Sequence, residues 1–258
     1  MTERKKIYFL SDVHLGLPDY KQSLVREKLL VKWLDEVSQD AAEIYLVGDI
    51  FDFWHEYKRV VPRGFTRLLG KIAEITDKGI PVHFFTGNHD IWIFDYLPLE
   101  TGIILHKEKL VTEIYGKKFL IAHGDGLGPA DKGFKRMKKV FTNSFAQWLF
   151  ARIHPNFSIW VAHSWSRKSR YKEEKKKEQF KGENSEWLVL YAKKKLMESH
   201  YDYFIFGHRH ITVKYKLKKS TFINLGDWIY NFSYAVYDGN EIELIKNYPE
   251  KEKVEFIK

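Results

Sequence analysis

Ile7-Tyr8-Phe9-Leu10-Ser11-Asp12-Val13-His14-Leu15-Gly16 sets the pattern of the chain: four apolar β-formers, then a polar cluster with a carboxylate and an imidazole one residue apart. The pattern returns at Ile44–Val47 before Gly48–Trp54, Val82–Phe85 before Thr86–Asp90, Phe119–Ala122 before His123–Gly128, and Tyr203–Phe206 before Gly207–His210. Phe222–Leu225 before Gly226–Trp228 and Ser233–Tyr237 before Asp238–Asn240 extend it. Helical periodicity over Leu24–Val37 and Phe65–Lys78 separates the early runs. Strand, turn, helix, strand is the signature of an α/β sheet. Continuous rather than alternating apolar runs predict strands covered on both faces. In open α/β sheets ligands bind beyond the carboxyl ends of the strands, where every polar cluster falls. The stretch from Tyr215 to Leu244 reads as a second, more antiparallel sheet.

The chain has 258 residues, enough for one large domain with a full core. An apolar content of 44% with 16% aromatics excludes a disordered chain, and the lack of cysteine excludes disulfides, thiolate metal sites and a Cys nucleophile. The longest apolar run, Trp187–Ala192, is far short of the roughly twenty residues of a membrane span. The polar start at Met1–Lys6 has no secretory pattern. The expectation is a soluble cytoplasmic protein.

The five main clusters supply Asp12 and His14; Asp49 with Asp52; Asn88 and His89; His123; and His208 with His210. Oxygen and imidazole donors without sulfur suit Mn²⁺, Fe, Zn²⁺ or Mg²⁺. They are too many for one tetrahedral ion, yet suffice for two ions sharing a carboxylate, an arrangement suited to phosphate chemistry. Taken singly each cluster is a weak signal, since an Asp beside a His also makes a satisfied polar pair and Gly48-Asp49 also makes a turn. All five in this order, each after a strand-like run, are far more specific.

Asp12-x-His14, Gly48-Asp49-x-x-Asp52, Gly87-Asn88-His89-Asp90, His123-Gly124-Asp125 and Gly207-His208-x-His210 together resemble the five blocks of the calcineurin-like dinuclear metallophosphoesterases. The resemblance implies a four-layer αββα sandwich holding two divalent ions. It implies Asp12, His14, Asp49 and His210 on one ion, Asp49, Asn88, His123 and His208 on the other, and Asp49 bridging. It also implies catalytic work for Asn88 and His89. Asp52, Asp90 and Asp125 would orient the ligands from behind. The segments Phe9–Gly16, Gly48–Trp54 and Leu225-Gly226-Asp227-Trp228 further resemble the branch that hydrolyses the pyrophosphate of a UDP-activated, diacylated sugar in lipid A synthesis. Better-known members of that branch carry Arg where this chain has His89. Other phosphoesterases, and a non-catalytic binding module on the same fold, are the alternatives; all metal-ligand positions are kept here, against the module.

Charge is localised. Residues 131–181 hold 14 Lys+Arg and 4 Asp+Glu, while the remaining 29 basic and 30 acidic residues nearly cancel. The same window carries Phe134, Met137, Phe141, Phe145, Trp148, Leu149 and Ile153 at mostly helical spacing. Following the resemblance, residues 127–190 are expected to form a helical cap inserted in a single domain, 1–258. Ser166, Arg167, Arg170, Lys172, Phe141, Phe145 and Trp148 are the expected substrate contacts. A basic face beside aromatic residues also suits an anionic membrane surface better than nucleic acid. The expectation is peripheral attachment to the cytoplasmic face of the inner membrane, with Mn²⁺ as cofactor.

Overall fold

The computed structural model describes residues 5–128, 132–161, 164, 180 and 182–249. Eleven strands form two sheets among the described residues. In the first, β1 (Lys6–Leu10), β2 (Ala41–Val47), β3 (Val82–Phe85) and β4 (Ile104–His106) run parallel, and β10 (Tyr234–Tyr237) and β11 (Ile242–Ile245) add antiparallel on the β1 side. In the second, β6 (Lys117–Ala122), β7 (Tyr203–Phe206) and β9 (Ser220–Leu225) are parallel, flanked by antiparallel β5 (Leu110–Ile114) and β8 (Thr212–Leu217).

Alternation along each strand divides the core. Tyr8 and Leu10 meet Leu30, Trp33 and Leu34 of α1 (Tyr20–Val37) and Leu68 and Ile72 of α2 (Thr66–Asp77) on the outer face of the first sheet. Ile7, Phe9, Tyr45 and Phe85 point inward and meet Phe119, Ile121, Ile205 and Ile223 of the second sheet. Leu188, Val189 and Ala192 of α6 (Trp187–Glu198) cover the far face of that sheet over Phe204, Phe206 and Phe222. This is the αββα sandwich. Each large apolar side chain so buried contributes about 1.5–3 kcal/mol, and a one-residue slip of β1 would exchange its two buried faces.

Local chemistry sets the helix starts. Asp19 accepts from the Gln22 amide at the head of α1. Phe65, before α2, has no such side chain, and the buried Glu27 of α1 accepts from the Arg67 and Leu68 amides instead. Glu56 does the same for α3 (Tyr96–Thr101), taking hydrogen bonds from the Phe94, Asp95, Tyr96 and Leu97 amides.

One expectation is corrected. The Tyr215–Leu244 stretch is not one sheet: β8 and β9 pair in the second, while β10 and β11 cross to the first because β10 hydrogen-bonds β1. The helical stripe after residue 131 is not continuous. It divides into α4 (Lys132–Phe141) and α5 (Ser144–Phe150), because Asn143 caps the second helix through the Phe145 and Ala146 amides. A further helical stretch covers 155–161. The Leu188–Ala192 part of α6 packs as a layer of the sandwich, so the sandwich resumes at Trp187, before residue 190. Among the described residues no helix is long and apolar enough to cross a membrane.

Candidate metal centre

Register puts the strand ends level: Leu10 pairs with Leu46, Val47 with Phe85, and Ala122 with Phe206. The five polar clusters therefore leave the two sheets side by side. Donor atoms of Asp12, His14 and His210 lie within 4.8 Å of one another, as do those of His14, Asp49 and His89, and of Asp49, His123 and His208. Asp49 Oδ2 is 3.7 Å from His14 Nε2 and 3.3 Å from His123 Nε2, between the first and last groups. Asn88 Oδ1 joins at 3.3 Å from His123 Nε2.

Ring orientation is set from behind. His123 Nδ1–H donates to the Val47 carbonyl at 2.9 Å, and His89 Nδ1–H to the Asp52 carbonyl at 2.9 Å, which turns Nε2 of each ring toward the cluster. Against its burial, the neighbouring Asp49 carboxylate pushes His123 up to about 10, so it holds a proton that a metal ion would displace. Asp52 Oδ1 lies 3.6 Å from His14 Nδ1 and 3.4 Å from His89 Nδ1, behind both rings. Asp90 acts differently. Its oxygens accept from the Gly87, Ile50 and Phe51 amides, so it orients two loops rather than a histidine. Asp125 pairs with Lys138 of α4 at 2.7 Å, tying that helix to the loop of His123.

Electrostatics keep most donors ready. Burial raises the Asp12 carboxyl, but His210, His14 and His123 outweigh it and hold the group well below the usual carboxylate range. Asp49 is likewise lowered: burial opposes ionisation, and His123, His89 and His14 overcome it. Burial and the charge of His123 push His208 down to about 4, which keeps its imidazole neutral. Asp90 is pushed up to about 7 by burial and the Asp49 charge.

The backbone bears the marks of a built site. Asp12, His14, Asp49, His208 and His210 all have φ between 48° and 66°, the left-handed region that side chains other than Gly rarely occupy. Gly87 and Gly207 leave room for two of the carboxylates: a Cβ on Gly87 would fall 2.7 Å from the Asp49 amide nitrogen, and one on Gly207 2.5 Å from Asp12 Oδ2. Among the described residues Asp12 Oδ1 is buried without a hydrogen-bond donor, 3.2 Å from His210 Nε2. His14 Nε2 and His210 Nε2 stand 3.3 Å apart, a separation two nitrogens adopt on one cation. The residues present fit divalent metal.

Several supports had no motif. Arg26 points from the buried face of α1 and donates to the carbonyls of Val13, His14 and Leu17, fixing the first loop. Its signal was a charged residue in phase with Leu30, Trp33 and Val37. The Trp228 amide donates to the Asp12 carbonyl, and Asn231 donates to that of His210. Arg209, between two histidines, forms a buried ion pair with Glu186.

The 132–161 segment docks on loops of this centre. Trp92 donates to the Phe141 carbonyl at 2.8 Å, and its ring lies 5.3 Å from Phe141 and 4.4 Å from Phe150. Phe150 also meets Phe53 and His55, and Tyr57 hydrogen-bonds Ser158. Of the expected substrate contacts, Phe141 is thus held against the sandwich, while Phe145 and Trp148 stack on each other and are 66% and 51% exposed. Ser166, Arg167, Arg170 and Lys172 lie outside the described residues.

His55, matched to no motif, is buried under this segment, and neither ring nitrogen has a hydrogen-bond partner among the described residues. Burial pushes its pKa down to about 4 from an ordinary 6.5. Below the unfolded value the unfolded chain binds the extra proton, so the stability from neutral His55 is complete above about 6.5 and lost as pH falls toward 4, at most about 3 kcal/mol. His55→Phe should flatten that acid loss, read from urea unfolding at about pH 7.5 and about pH 4.5. Equal losses in the two proteins would discard His55 as the source.

The calcineurin-like phosphoesterase family model matches residues 5–212, spanning all five ligand clusters. The chain belongs to that family. It is a phosphoesterase, a metal-dependent hydrolase with divalent metal as cofactor. A protein of Porphyromonas gingivalis named UDP-2,3-diacylglucosamine hydrolase is 42% identical over 93% of this phosphoesterase and 97% of its own length. Proteins of the same name from Neisseria meningitidis serogroup B and Haemophilus influenzae Rd are 29% and 26% identical, over 87% and 89% of this chain and 90% and 93% of theirs.

Proposed function

We propose that this phosphoesterase hydrolyses the pyrophosphate of UDP-2,3-diacylglucosamine, adding water across the P–O–P bond to give UMP and 2,3-diacylglucosamine 1-phosphate. The observation that carries the substrate is the 42% identity over nearly the full length of both chains with the P. gingivalis hydrolase. Asp12, His14, Asp49, Asn88, His123, His208 and His210 would hold two divalent ions, with Asp49 shared. The ions supply positive charge for the phosphates and activate water, and an N/O donor set containing Asn88 favours Mn²⁺. His89, its Nδ1 committed to the Asp52 carbonyl, presents Nε2 to the cluster, where as an imidazolium it would neutralise charge developing on phosphate or give its Nε2 proton to the departing oxygen. Asn88, on the same loop, would turn Oδ1 to the ion beside His123.

The segment over the site is read as a cap for the acyl chains. Phe145, Trp148, Leu149, Phe157 and Trp160 are exposed on it, with Phe145 beside Trp148 and Phe157 beside Trp160, apolar area left open to solvent among the described residues. Chelation should abolish hydrolysis of UDP-2,3-diacylglucosamine, and Mn²⁺ should restore it better than Mg²⁺ or Zn²⁺. Full turnover by protein shown metal-free by elemental analysis would overturn the mechanism.

The same face supports reversible attachment to an anionic bilayer. Arg136 and Lys139 are exposed on α4, the helix that precedes the exposed aromatics of α5 in the chain, and each basic residue at such a surface contributes about 1 kcal/mol. The protein should co-sediment with anionic vesicles at low salt, release at roughly 0.5 M salt, and bind more weakly once Arg136 and Lys139 are neutralised. Indifference to anionic vesicles at low salt would remove the membrane from this reading.

A further inference from the structure

Arg209 lies between His208 and His210, and the metal chemistry proposed above gives it no contact with substrate. Its Nε donates to Glu186 Oε1 at 2.9 Å and an Nη to Oε2 at 3.5 Å. The guanidinium also lies 4.4 Å from the Trp187 ring centroid. Arg209 and Glu186 are 4% and 1% exposed, so the pair is removed from water. Such a pair gives little net stability over apolar residues of the same volume, because desolvation offsets the attraction. A planar fork held at two oxygens and stacked on an indole supplies direction instead.

What it directs is the turn carrying two donors. Both flanking histidines hold left-handed backbone, φ 66° and 49°, and Arg209 N donates to the Gly207 carbonyl at 2.8 Å, closing the turn around His208. Other anchors hold the turn at Gly207, where Asn224 donates to the carbonyl, and at the His208 amide, which donates to Asp12 Oδ2. The opposite end of the clamp is the point where the inserted segment returns to the sandwich. Glu186 is the N-cap residue of α6, and the next turn is packed into the core by Leu188 and Val189. Gly128, at the outgoing end of the segment, is so close that a Cβ there would lie 2.8 Å from the Trp187 carbonyl oxygen.

We infer that Arg209, Glu186 and Trp187 form a positioning clamp that sets the His208–His210 turn for metal and couples metal retention to the seating of the inserted segment. The inference rests on His208 and His210 being ligands. The test is Mn²⁺ titration of the chelator-stripped full chain, followed by electron paramagnetic resonance of the free ion, for wild type, the double variant Glu186→Leu/Arg209→Met, and Arg209→Lys. The double variant replaces the pair by apolar groups, so its stripped form should melt at or above wild type. Its Mn²⁺ affinity should fall about 10- to 100-fold, as when other groups that orient metal ligands are removed. Arg209→Lys keeps the charge opposite Glu186 but loses the fork and the flat stack, and should lose roughly fivefold. This second variant carries the test if the double variant does not fold. At subsaturating Mn²⁺ turnover should drop with KM for the substrate held, a split that loss of a substrate contact would not give. Affinity within twofold of wild type in the folded variants overturns the clamp. Failure of wild type itself to bind Mn²⁺ would instead overturn the ligand assignment.

Discussion

Asp49→Ala is expected to bind neither ion in stoichiometric amount and to lose at least about a thousandfold in turnover, more than Asp12→Ala or His210→Ala. Its Oδ2 faces His14 on one side and His123 on the other, while Oδ1 accepts the His89 amide at 2.9 Å. Removing it takes a charge from both clusters and unhooks the loop carrying Asn88 and His89. Loss of a group that only orients a ligand costs about 10- to 100-fold, so loss of a shared ligand should exceed that range. Asp12 and His210 belong to one group only. Metal content by elemental analysis and turnover on UDP-2,3-diacylglucosamine decide the matter. Two ions retained by the Asp49 variant would refute the shared carboxylate.

Replacing Phe145 and Trp148 together by Ser and Gln should reduce kcat/KM for the diacylated substrate about 100-fold while leaving hydrolysis of a small phosphodiester within a factor of two. The rings stack 5.9 Å apart and remain more than half exposed, so the substitution removes little from the folded core. Covering each by acyl chain would contribute about 1.5 kcal/mol, and about 1.4 kcal/mol is tenfold in affinity. Phe141 is left out because its ring and carbonyl hold the segment to Trp92. Equal losses on both substrates would mean that these rings serve the fold rather than the lipid.

The polar clusters that supply the candidate donors, and the parallel strands that carry them, were readable in the sequence for one physical reason. A strand buried on both faces must be continuously apolar, and the polar residue that ends it is conspicuous. Edge strands obey no such constraint. Leu110–Ile114 alternates in burial, and Ile104–His106 is too short to register as a run. Sheet membership of the late hairpins depends on which strand each finds across the sandwich, a contact that local pattern does not encode. The break at Asn143 was hidden because the apolar spacing continues through it; only the cap geometry stops the helix. Arg26, Trp92 and the Arg209–Glu186 pair act through partners 9 to 49 residues away in sequence, beyond the reach of motif spacing. His55 shows the converse: a histidine outside every motif, buried among aromatics that hold the inserted segment.

Five donors share the left-handed backbone, and that has a consequence for how the protein ages in evolution. Asp and His tolerate this region better than most residues, yet each such position still costs on the order of 1 kcal/mol, so the five together approach the lower end of a domain's net stability. The load is offset while ions occupy the cleft, because ligand binding to the folded state stabilises it. Activity and robustness therefore oppose each other at these five codons. A copy of the gene relieved of hydrolysis would be free to accept glycine there, and its product should withstand heat without metal better than the working enzyme does.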